Sequence, residues 1–197
     1  EKYDGEVATE ETKKAVEEIN QKVYEFYDET KDTDVELEKL YELGKKWSLQ
    51  HFDEIYAKLG TSFDSFVMES ATFQIGEEIV RKNIGKVFEE SEGAVIYRGE
   101  QDGLHTRVYI NSKGLPTYDT KDLGLAIYKD KTVEHDKSII VTADEQREYF
   151  KVVLAALSKI EPKISEKTEH ITHGMMQFAE GKMSSRKGNV ITGESLL

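Results

Sequence analysis

The sequence predicts an α/β fold, in which a helical stretch and a small antiparallel meander precede a part built from parallel strands and crossover helices. Three observations lead to this prediction. Apolar residues recur at helical spacing as far as Gly93, then alternate with polar residues as far as Tyr118, and beyond that residue strand and helix patterns take turns. Such alternation favours a parallel sheet. We therefore divide the sequence near Gly114, into residues 1–114 and 115–197.

Two segments at the beginning of the chain carry helical patterns. Residues 9–29 place apolar side chains at helical spacing between charges, which predicts an amphipathic helix. Thr33 and Glu36 form a capping-box pattern ahead of a second periodic stretch, which Gly60 ends. We expect a break near residues 44–48, and hence two helices in this second stretch.

A further helix and the meander follow. Residues 76–92 place several apolar side chains on one helical face, and Gly93 is a natural end for that helix. The next stretch has turn clusters at residues 99–103 and 111–114, which predict a small antiparallel meander. The side chains expected on one face of the meander are Leu104, Thr106, Val108 and Ile110.

The last part of the sequence alternates between helix and strand. Helices are predicted over residues 120–130 and 144–160, and strands over residues 137–143 and 170–178. Ligands of an open parallel sheet bind beyond the carboxyl ends of its strands. The turn that follows the first of these strands is therefore a candidate binding region.

The composition limits the possible functions. A formal net charge of -12 argues against a general nucleic-acid coat protein, because phosphate binding depends on many lysine and arginine contacts. The sequence has no cysteine, which excludes disulfides and fits a reducing compartment. The longest apolar run, VVLAAL, is too short to span a bilayer, and the first residues carry no signal-peptide pattern. We expect a cytoplasmic protein that does not bind membranes.

A phenol and a carboxylate are predicted on one side of the helix that follows the meander. Tyr118 and Asp122 are four residues apart, and Asp144, Glu145 and Gln146 come directly after a predicted strand. Together these groups would suit a guanidinium, which a carboxylate can bind through two parallel hydrogen bonds. The alternative is that Asp122 only caps or solvates its helix and that Tyr118 belongs to the core.

The stretch from residue 181 to residue 190 reads GKMSSRKGNV and concentrates positive charge in an acidic chain. Lys182, Arg186 and Lys187 surround two serines, and glycines on both sides allow the loop to move. Cationic and hydroxyl side chains suit phosphate oxygens, so closure over a triphosphate would neutralise charge that develops in a transition state. The alternative is a solvated turn between strands.

The histidines give weaker signals. His170 and His173 are three residues apart on a predicted strand and would face opposite sides, so a shared metal ion is not expected. The other histidines are expected at the surface: His51, His105 and His135.

Several motifs together resemble the second half of the catalytic domain of class I arginyl-tRNA synthetases. KMSSRKG is similar to the KMSKS signature in its arginyl form, LPTYDTKDL to the family's Y-x-T-x-D segment, and VTADEQ to its V-x-A-x-x-Q segment. HITHGMMQ resembles the strand before the KMSKS loop, and the similarity extends from about Trp47 onward. The resemblance implies a Rossmann-like domain, with residues 1–114 as a helical insertion plus meander and 115–197 as the second half of the ATP- and amino-acid-binding fold.

The resemblance also implies which residues act on which substrate. The arginine-binding residues that it implies are Glu69, Tyr118, Asp122 and Gln146. The ATP-binding residues that it implies are His170, Gly174, Met175, Met176 and Met183. The catalytic residues of the KMSKS-type loop would be Lys182, Ser184, Ser185, Arg186 and Lys187. The implied substrates are arginine, ATP with Mg²⁺, and tRNA(Arg).

Some features depart from the family pattern. Ser185 stands where KMSKS has its second lysine, and Met68 replaces the family's glycine before a Glu-Ser pair. HITH does not match the family's HIGH motif, because Thr172 replaces its glycine, and the family's anticodon-binding domain would begin where these 197 residues end. We therefore expect a fragment of a monomeric cytoplasmic ligase that is inactive alone. Two alternatives stay open: another class I aminoacyl-tRNA ligase or nucleotidyltransferase, and a non-catalytic synthetase-like interaction module, which the amphipathic helix before Asp32 favours.

Overall fold

The computed structural model of the chain describes residues 9–28, 30–174 and 197. The chain divides into two compact units, of which one comprises Glu1–Phe66 with Gln177–Leu197 and the other Val67–Met176. The division of the sequence at residue 114 falls inside the second unit, where the meander and the helix that follows it share one core. That division stays a prediction about the organisation of the sequence.

The described residues form helices and strands in the order that an α/β chain with a helical beginning requires. The helices are α1 (Glu10–Glu25), α2 (Val35–Leu59), α3 (Glu69–Lys82), α4 (Tyr118–Thr132), α5 (Arg147–Ile160) and α6 (Pro162–Lys167). The strands are β1 (Glu89–Ser91), β2 (Ala94–Tyr97), β3 (Arg107–Ile110), β4 (Ser138–Ala143) and β5 (Thr168–His173).

The first unit contains α1 and α2, and local chemistry sets the ends of α2. The side chain of Asp34 accepts a hydrogen bond from the amide of Leu37 at 3.2 Å and so caps the helix, in place of the predicted Thr33. Gly60, with a φ of 65°, ends α2 as predicted. The predicted break near residues 44–48 is wrong, because α2 is one continuous helix of 25 residues. A single glycine inside a helix costs only about 1 kcal/mol relative to alanine, which good helix formers on both sides outweigh.

The meander lies in the second unit, and its first hairpin corrects the predicted helix over residues 76–92. α3 ends at Lys82, and the chain then forms β1 and β2, which pair antiparallel. Glu92 and Gly93 make the turn between these strands, with φ values of 51° and 80°. Such positive values at both central positions are typical of tight hairpins, so Gly93 closes a hairpin and does not end a helix.

β3 continues the meander antiparallel to β2, with an irregular register. Val95 pairs with Ile110 but Ile96 pairs with Val108, which leaves Tyr109 as an extra residue on β3. Tyr109 and Ile110 are therefore both buried, whereas Val108 is 39% exposed. The predicted placement of Val108 and Ile110 on one face is thus wrong.

The part after the meander has the predicted parallel pairing. β4 and β5 run parallel from the pair Ser138 and Thr168 to the pair Ala143 and His173, and the chain passes between them through α5 and α6. The α/β prediction is confirmed. Burial alternates along β5, so that His170 faces the helices and His173 is exposed on the opposite side, as predicted. No helix within the described ranges has the length and apolar character needed to cross a membrane.

The core of the second unit joins the meander to the helices. Its buried members come from α3, the meander, α4 and α5, and they include Val80, Tyr97, Tyr109, Leu123 and Leu157. Because one apolar cluster contains all these elements, the first residues of α4 are held against both β3 and α5. The candidate site lies at this junction.

Candidate functional site

α3 and α4 cross at very short range, and this crossing positions the candidate site. Both helices contain the pattern T-x-x-x-G, as Thr72 to Gly76 and as Thr120 to Gly124. A Cβ added at Gly76 would lie 2.0 Å from the carbonyl oxygen of Thr120, and one added at Gly124 would lie 2.1 Å from the carbonyl oxygen of Thr72. Only glycine permits such a close approach of two backbones. The crossing therefore fixes the beginnings of both helices, where the predicted acidic residues lie.

Asp122 is a partly buried carboxylate in the second turn of α4. It accepts a hydrogen bond from the hydroxyl of Tyr149, which lies in the first turn of α5. Burial is the main cause that raises the pKa of the Asp122 carboxyl, and the charges of Asp119 and Glu69 raise it further, against the hydrogen bond from Tyr149. Burial and the charge of Asp122 also raise the pKa of Tyr149, so its hydroxyl keeps the proton that it donates. Asp122 does not cap its helix, so that alternative is wrong.

A cavity of about 190 Å³ adjoins Asp122. α4, β4, α5 and β5 line this cavity, mostly with apolar side chains such as Leu125, Ile140 and Phe150. Lys129 also lines it, and burial lowers the pKa of this lysine. A carboxylate in such surroundings gains more from binding a cation than one surrounded by water, because less hydration is lost.

Arg107 and Asp119 form an ion pair next to Tyr149. The Nε atom of Arg107 lies 2.7 Å from Oδ1 of Asp119, and a terminal guanidinium nitrogen lies 3.1 Å from Oδ2. The Asp119 side chain is 3% exposed and that of Arg107 is 38% exposed. The hydrogen bond to Asp119 is the main cause that raises the pKa of Arg107. The same guanidinium lies over the ring of Tyr149, 4.8 Å from its centroid.

Tyr118 and Glu69 meet at Lys121. The Nζ atom of Lys121 lies 2.6 Å from Oε2 of Glu69 and 5.0 Å from the centroid of the Tyr118 ring. Tyr118 is 68% exposed, so the alternative that it belongs to the core is wrong. Since Lys121 of α4 contacts Glu69 at the start of α3, the structure brings three of the four predicted arginine-binding residues to one region around the first turn of α3 and the first two turns of α4.

The fourth predicted arginine-binding residue, Gln146, lies at the carboxyl end of β4. It is exposed and ends the short 3-10 turn that precedes α5. Next to it, the Oδ1 atom of Asp144 accepts hydrogen bonds from Nε of Arg147 at 2.9 Å and from the hydroxyl of Thr172 at 3.0 Å. The bond from Arg147 is the main cause that lowers the pKa of Asp144. This network ties the ends of β4 and β5 together.

His170 and Gly174 are the predicted ATP-binding residues that the structure describes. The Nε2 atom of His170 lies 2.8 Å from the hydroxyl of Thr142, and its ring lies 4.3 Å from that of Phe150. Burial, and after it the charge of Arg147, lowers the pKa of His170, which favours the neutral imidazole. Gly174 is exposed directly after β5. The ATP-binding roles of both residues stay predictions.

The other predicted site residues lie outside the described residues. They are Met175, Met176, Lys182, Met183, Ser184, Ser185, Arg186 and Lys187. Their roles stay predictions too. Within the ranges that the structure describes, no group of three or more histidine, cysteine, aspartate or glutamate side chains could hold a metal ion.

Three residues of the site were missed by the sequence analysis: Arg107, Asp119 and Tyr149. A signal for Tyr149 exists, because it follows Gln146 by three residues and so lies one helical turn further along. Arg107 and Asp119 are 12 residues apart on different elements, and their contact depends on the turn between β3 and α4. No spacing rule connects two such positions.

Comparisons with known proteins identify the family. A family model described as tRNA synthetases class I (R), catalytic domain, matches residues 4–197. An arginine–tRNA ligase of Clostridium perfringens is 34% identical over 176 residues, which cover 87% of this chain and 31% of that protein. One from Bacteroides thetaiotaomicron is 32% identical over 166 residues, which cover 83% of this chain and 28% of that protein. The chain thus spans less than a third of the length of these relatives.

Solved structures show the same fold. The arginyl-tRNA synthetase of Plasmodium falciparum matches with a TM-score of 0.64 at 20% identity, over 83% of this chain and 28% of that one. The arginyl-tRNA synthetase of Thermus thermophilus matches with a TM-score of 0.55 at 16% identity, over 83% of this chain and 35% of that one. These matches confirm the Rossmann-like α/β prediction, and the family match confirms the resemblance drawn from the motifs. The chain belongs to the family of class I tRNA synthetase (R) catalytic domains.

Proposed function

We propose that this chain is part of an arginine–tRNA ligase, which activates arginine with ATP to arginyl-adenylate and then transfers the arginyl group to tRNA(Arg). The observation that carries the proposal is the carboxylate of Asp122, which is partly buried, held by the Tyr149 hydroxyl and bordered by an apolar cavity. Such a group favours a cationic ligand with an aliphatic stem. Arginine has this chemistry.

In this proposal the arginine guanidinium binds the carboxylate of Asp122 through charge-assisted hydrogen bonds. Glu69 and Tyr118 complete the recognition of the side chain, and Gln146 holds the backbone end of the amino acid. An uncharged analogue would leave Asp122 buried and unpaired, which gives discrimination against other amino acids. Lys121 contacts both Glu69 and Tyr118 and would have to share them with the substrate.

The nucleotide would be bound beyond the carboxyl ends of β4 and β5. His170, Gly174, Met175 and Met176 would line the adenine site, largely through main chain, as the family resemblance implies. Met183 would bind ATP as part of the loop over the phosphates. The loop cations Lys182, Arg186 and Lys187 would neutralise the phosphates during in-line attack on the α-phosphorus, and the hydroxyls of Ser184 and Ser185 would donate hydrogen bonds to them. The described residues offer no cluster that fits Mg²⁺, so we assign it no protein ligands and expect it to arrive on the ATP phosphates. We further propose a cytoplasmic, monomeric enzyme.

The test is the substitution Asp122→Asn in the full-length protein that carries this segment. Asparagine keeps the shape and can still accept the Tyr149 hydrogen bond, but it loses the charge. We expect the KM for arginine to rise about a hundredfold while the KM for ATP changes little, because only the arginine site loses an ionic partner. Asp136→Asn is the matched control, since Asp136 is exposed in the loop after α4. Pyrophosphate exchange, measured at varied arginine and at varied ATP concentration, gives the two KM values. The same assay with other amino acids tests the specificity.

Equal losses for arginine and ATP would count against the arginine site. Activation of a different amino acid by the unsubstituted protein would indicate another class I ligase. The 197-residue chain alone should show no arginine-dependent exchange, and measurable exchange would contradict its proposed inactivity as a fragment.

A second candidate is a non-catalytic synthetase-like module that binds other proteins. The observation that favours it is α1, on which Val16 is 51% and Ile19 is 50% exposed, so that part of its apolar side is open. The coding sequence upstream of Glu1 distinguishes the two: a HIGH motif there supports the enzyme, and a start codon directly before it supports the module.

A further inference from the structure

Arg107 lies at the start of β3. One side chain, that of Tyr149, stands between it and Asp122, the carboxylate that we assign to arginine binding. Its guanidinium nevertheless makes two specific contacts, the two-point ion pair with Asp119 and the stacking contact with the ring of Tyr149. Tyr149 in turn donates its hydroxyl to Asp122. A continuous chain of contacts therefore runs from β3 through α5 to the carboxylate on α4.

The ion pair fixes the plane of the Arg107 guanidinium. The Asp119 side chain is only 3% exposed, so packing holds this carboxylate in one orientation. A fork of two hydrogen bonds to a fixed carboxylate leaves the guanidinium little rotational freedom. The plane is thus determined by β3 and α4 together, independently of any bound ligand.

The stacking contact limits where the Tyr149 ring can lie. With a guanidinium 4.8 Å from its centroid on one side and the Phe150 ring edge-on at 4.9 Å, the phenol has few positions open to it. The observed position is the one that places its hydroxyl on Oδ2 of Asp122. Arg107 thereby determines how the carboxylate of Asp122 is oriented.

Arg107 also affects the charge that Asp122 experiences. It neutralises Asp119, whose negative charge would otherwise act on Asp122 at full strength across one helical turn. The titratable groups that interact with Asp122 from the surrounding elements are Glu69 on α3, Tyr109 on β3, Asp119 and Lys129 on α4, and Tyr149 on α5. Among these, Asp119 is the carboxylate that Arg107 holds paired.

We propose that Arg107 is a positioning residue for arginine recognition: its ion pair with Asp119 and its contact with Tyr149 hold the Tyr149 hydroxyl on the carboxylate that binds the substrate guanidinium. This inference rests on the proposed function, because it concerns the same carboxylate. Arg107 itself does not contact the substrate. It stabilises the orientation in which Asp122 can bind arginine.

The kinetic test uses Arg107→Lys and Arg107→Ala in the full-length protein. Lysine keeps a positive charge near Asp119 but lacks the planar pair of hydrogen-bond donors and the stacking surface. Alanine removes the charge, the donors and the stacking surface. We expect the KM for arginine to rise about tenfold in Arg107→Lys and more in Arg107→Ala, with the KM for ATP unchanged, because misplacement of a binding group by about 1 Å has effects of this size or larger. Arg98→Lys is the matched control, since Arg98 pairs with the exposed Glu89 on β1.

Addition of methylguanidinium gives a readout that a general loss of structure would not produce. In Arg107→Ala the buried carboxylate of Asp119 and the face of Tyr149 remain, and a small guanidinium can occupy the space between them. We expect methylguanidinium to lower the KM for arginine in this variant, and methylammonium to do so far less. Unchanged arginine KM values in both Arg107 variants, or equal increases for arginine and ATP, would overturn the proposal.

A ligand-free measurement separates this inference from the proposed function. The pKa of the Asp122 carboxyl can be followed by carbon NMR in the ligand-free full-length protein with labelled aspartate, with Asp122→Asn used to assign its signal. We expect Arg107→Ala to raise this pKa further, because the Tyr149 hydrogen bond is lost and the charge of Asp119 is no longer paired. Loss of the fold would instead lower it, so Arg107→Lys, with a smaller expected rise, decides if Arg107→Ala does not fold.

An unchanged Asp122 pKa in folded Arg107 variants would overturn the positioning role, whatever amino acid the enzyme uses. If the unsubstituted protein fails to use arginine but the pKa moves as expected, the proposed function fails and the link from Arg107 through Tyr149 to Asp122 stands.

Discussion

Replacing Gly124 with alanine should push α3 and α4 apart. The added Cβ would lie 2.1 Å from the carbonyl oxygen of Thr72 and 2.8 Å from the backbone nitrogen of Gly76, whereas ordinary contacts begin at 3.4 Å. The shortfall to Thr72 is therefore 1.3 Å, and the obstructing atoms are backbone atoms inside helices, which cannot rotate away. The helices must separate by about an ångström.

Such a separation loosens the core between them. Val80, Leu123 and Ile127 are almost completely buried next to the crossing and would lose part of their packing. We expect the free energy of unfolding of the second unit to fall by about 3 kcal/mol, the upper range for an overpacked core position. For a domain of this size that corresponds to a drop in Tm of roughly 10 °C.

The assay is urea unfolding followed by circular dichroism, with hydrogen exchange to locate the change in α3 and α4. Gly44→Ala is the matched control, because Gly44 also lies inside a helix but a Cβ there meets nothing within 4 Å. That substitution should stabilise the chain by about 1 kcal/mol through helix propensity alone. If Gly124→Ala proved as stable as Gly44→Ala, the argument from close backbone approach would be refuted.

Two further predictions concern single side chains. Because the folded state raises the pKa of Asp122, its ionised form costs stability above that pKa, so Asp122→Asn should make the ligand-free chain more stable in urea at neutral pH, with a difference that disappears as the pH falls below about 4. Asp34→Ala should speed hydrogen exchange in the first turn of α2 more than Thr33→Ala does, because only Asp34 accepts the amide hydrogen bond of Leu37, and equal effects would favour Thr33 as the cap.

The sequence analysis identified the elements whose hydrophobic period is clear. The predictions for α4, β4 and α5 lie within three residues of the observed ends, because the apolar patterns of these elements are clear. The predicted strand over residues 170–178 overlaps β5 at residues 170–173, and its residues 175–178 lie outside the described residues. Two predictions about helix boundaries are wrong, and both concern glycines whose local signals conflict with the surrounding sequence. Gly44 predicts a break, but α2 continues through it. Gly93 fits the pattern of a helix end, but in the structure it lies in a hairpin turn next to Glu92, and both residues have positive φ.

The candidate site was predictable only in part. Asp122 and Tyr118 follow from a four-residue spacing, and Glu69 from the family resemblance, but their surroundings depend on how three elements pack. The contact between Arg107 and Asp119 requires the turn after β3, and the contact of Tyr149 with Asp122 requires α5 to pack on α4. Tertiary packing of this kind leaves no trace in residue spacing, although the paired T-x-x-x-G patterns of α3 and α4 indicate that these two helices touch.

The two glycines at the helix crossing affect how mutational data on this protein should be interpreted. If the whole protein uses arginine, as proposed, a scan for variants that no longer use it would recover Gly76 and Gly124 alongside the acidic residues, although neither glycine has a side chain with which to touch a substrate. Because both glycines are buried, such results would suggest a second ligand-binding site between α3 and α4. The actual cause would be a change in the distance between Glu69 and Asp122, because the separation of α3 and α4 at the two glycines sets this distance. Substrate specificity would then change without the replacement of any polar group.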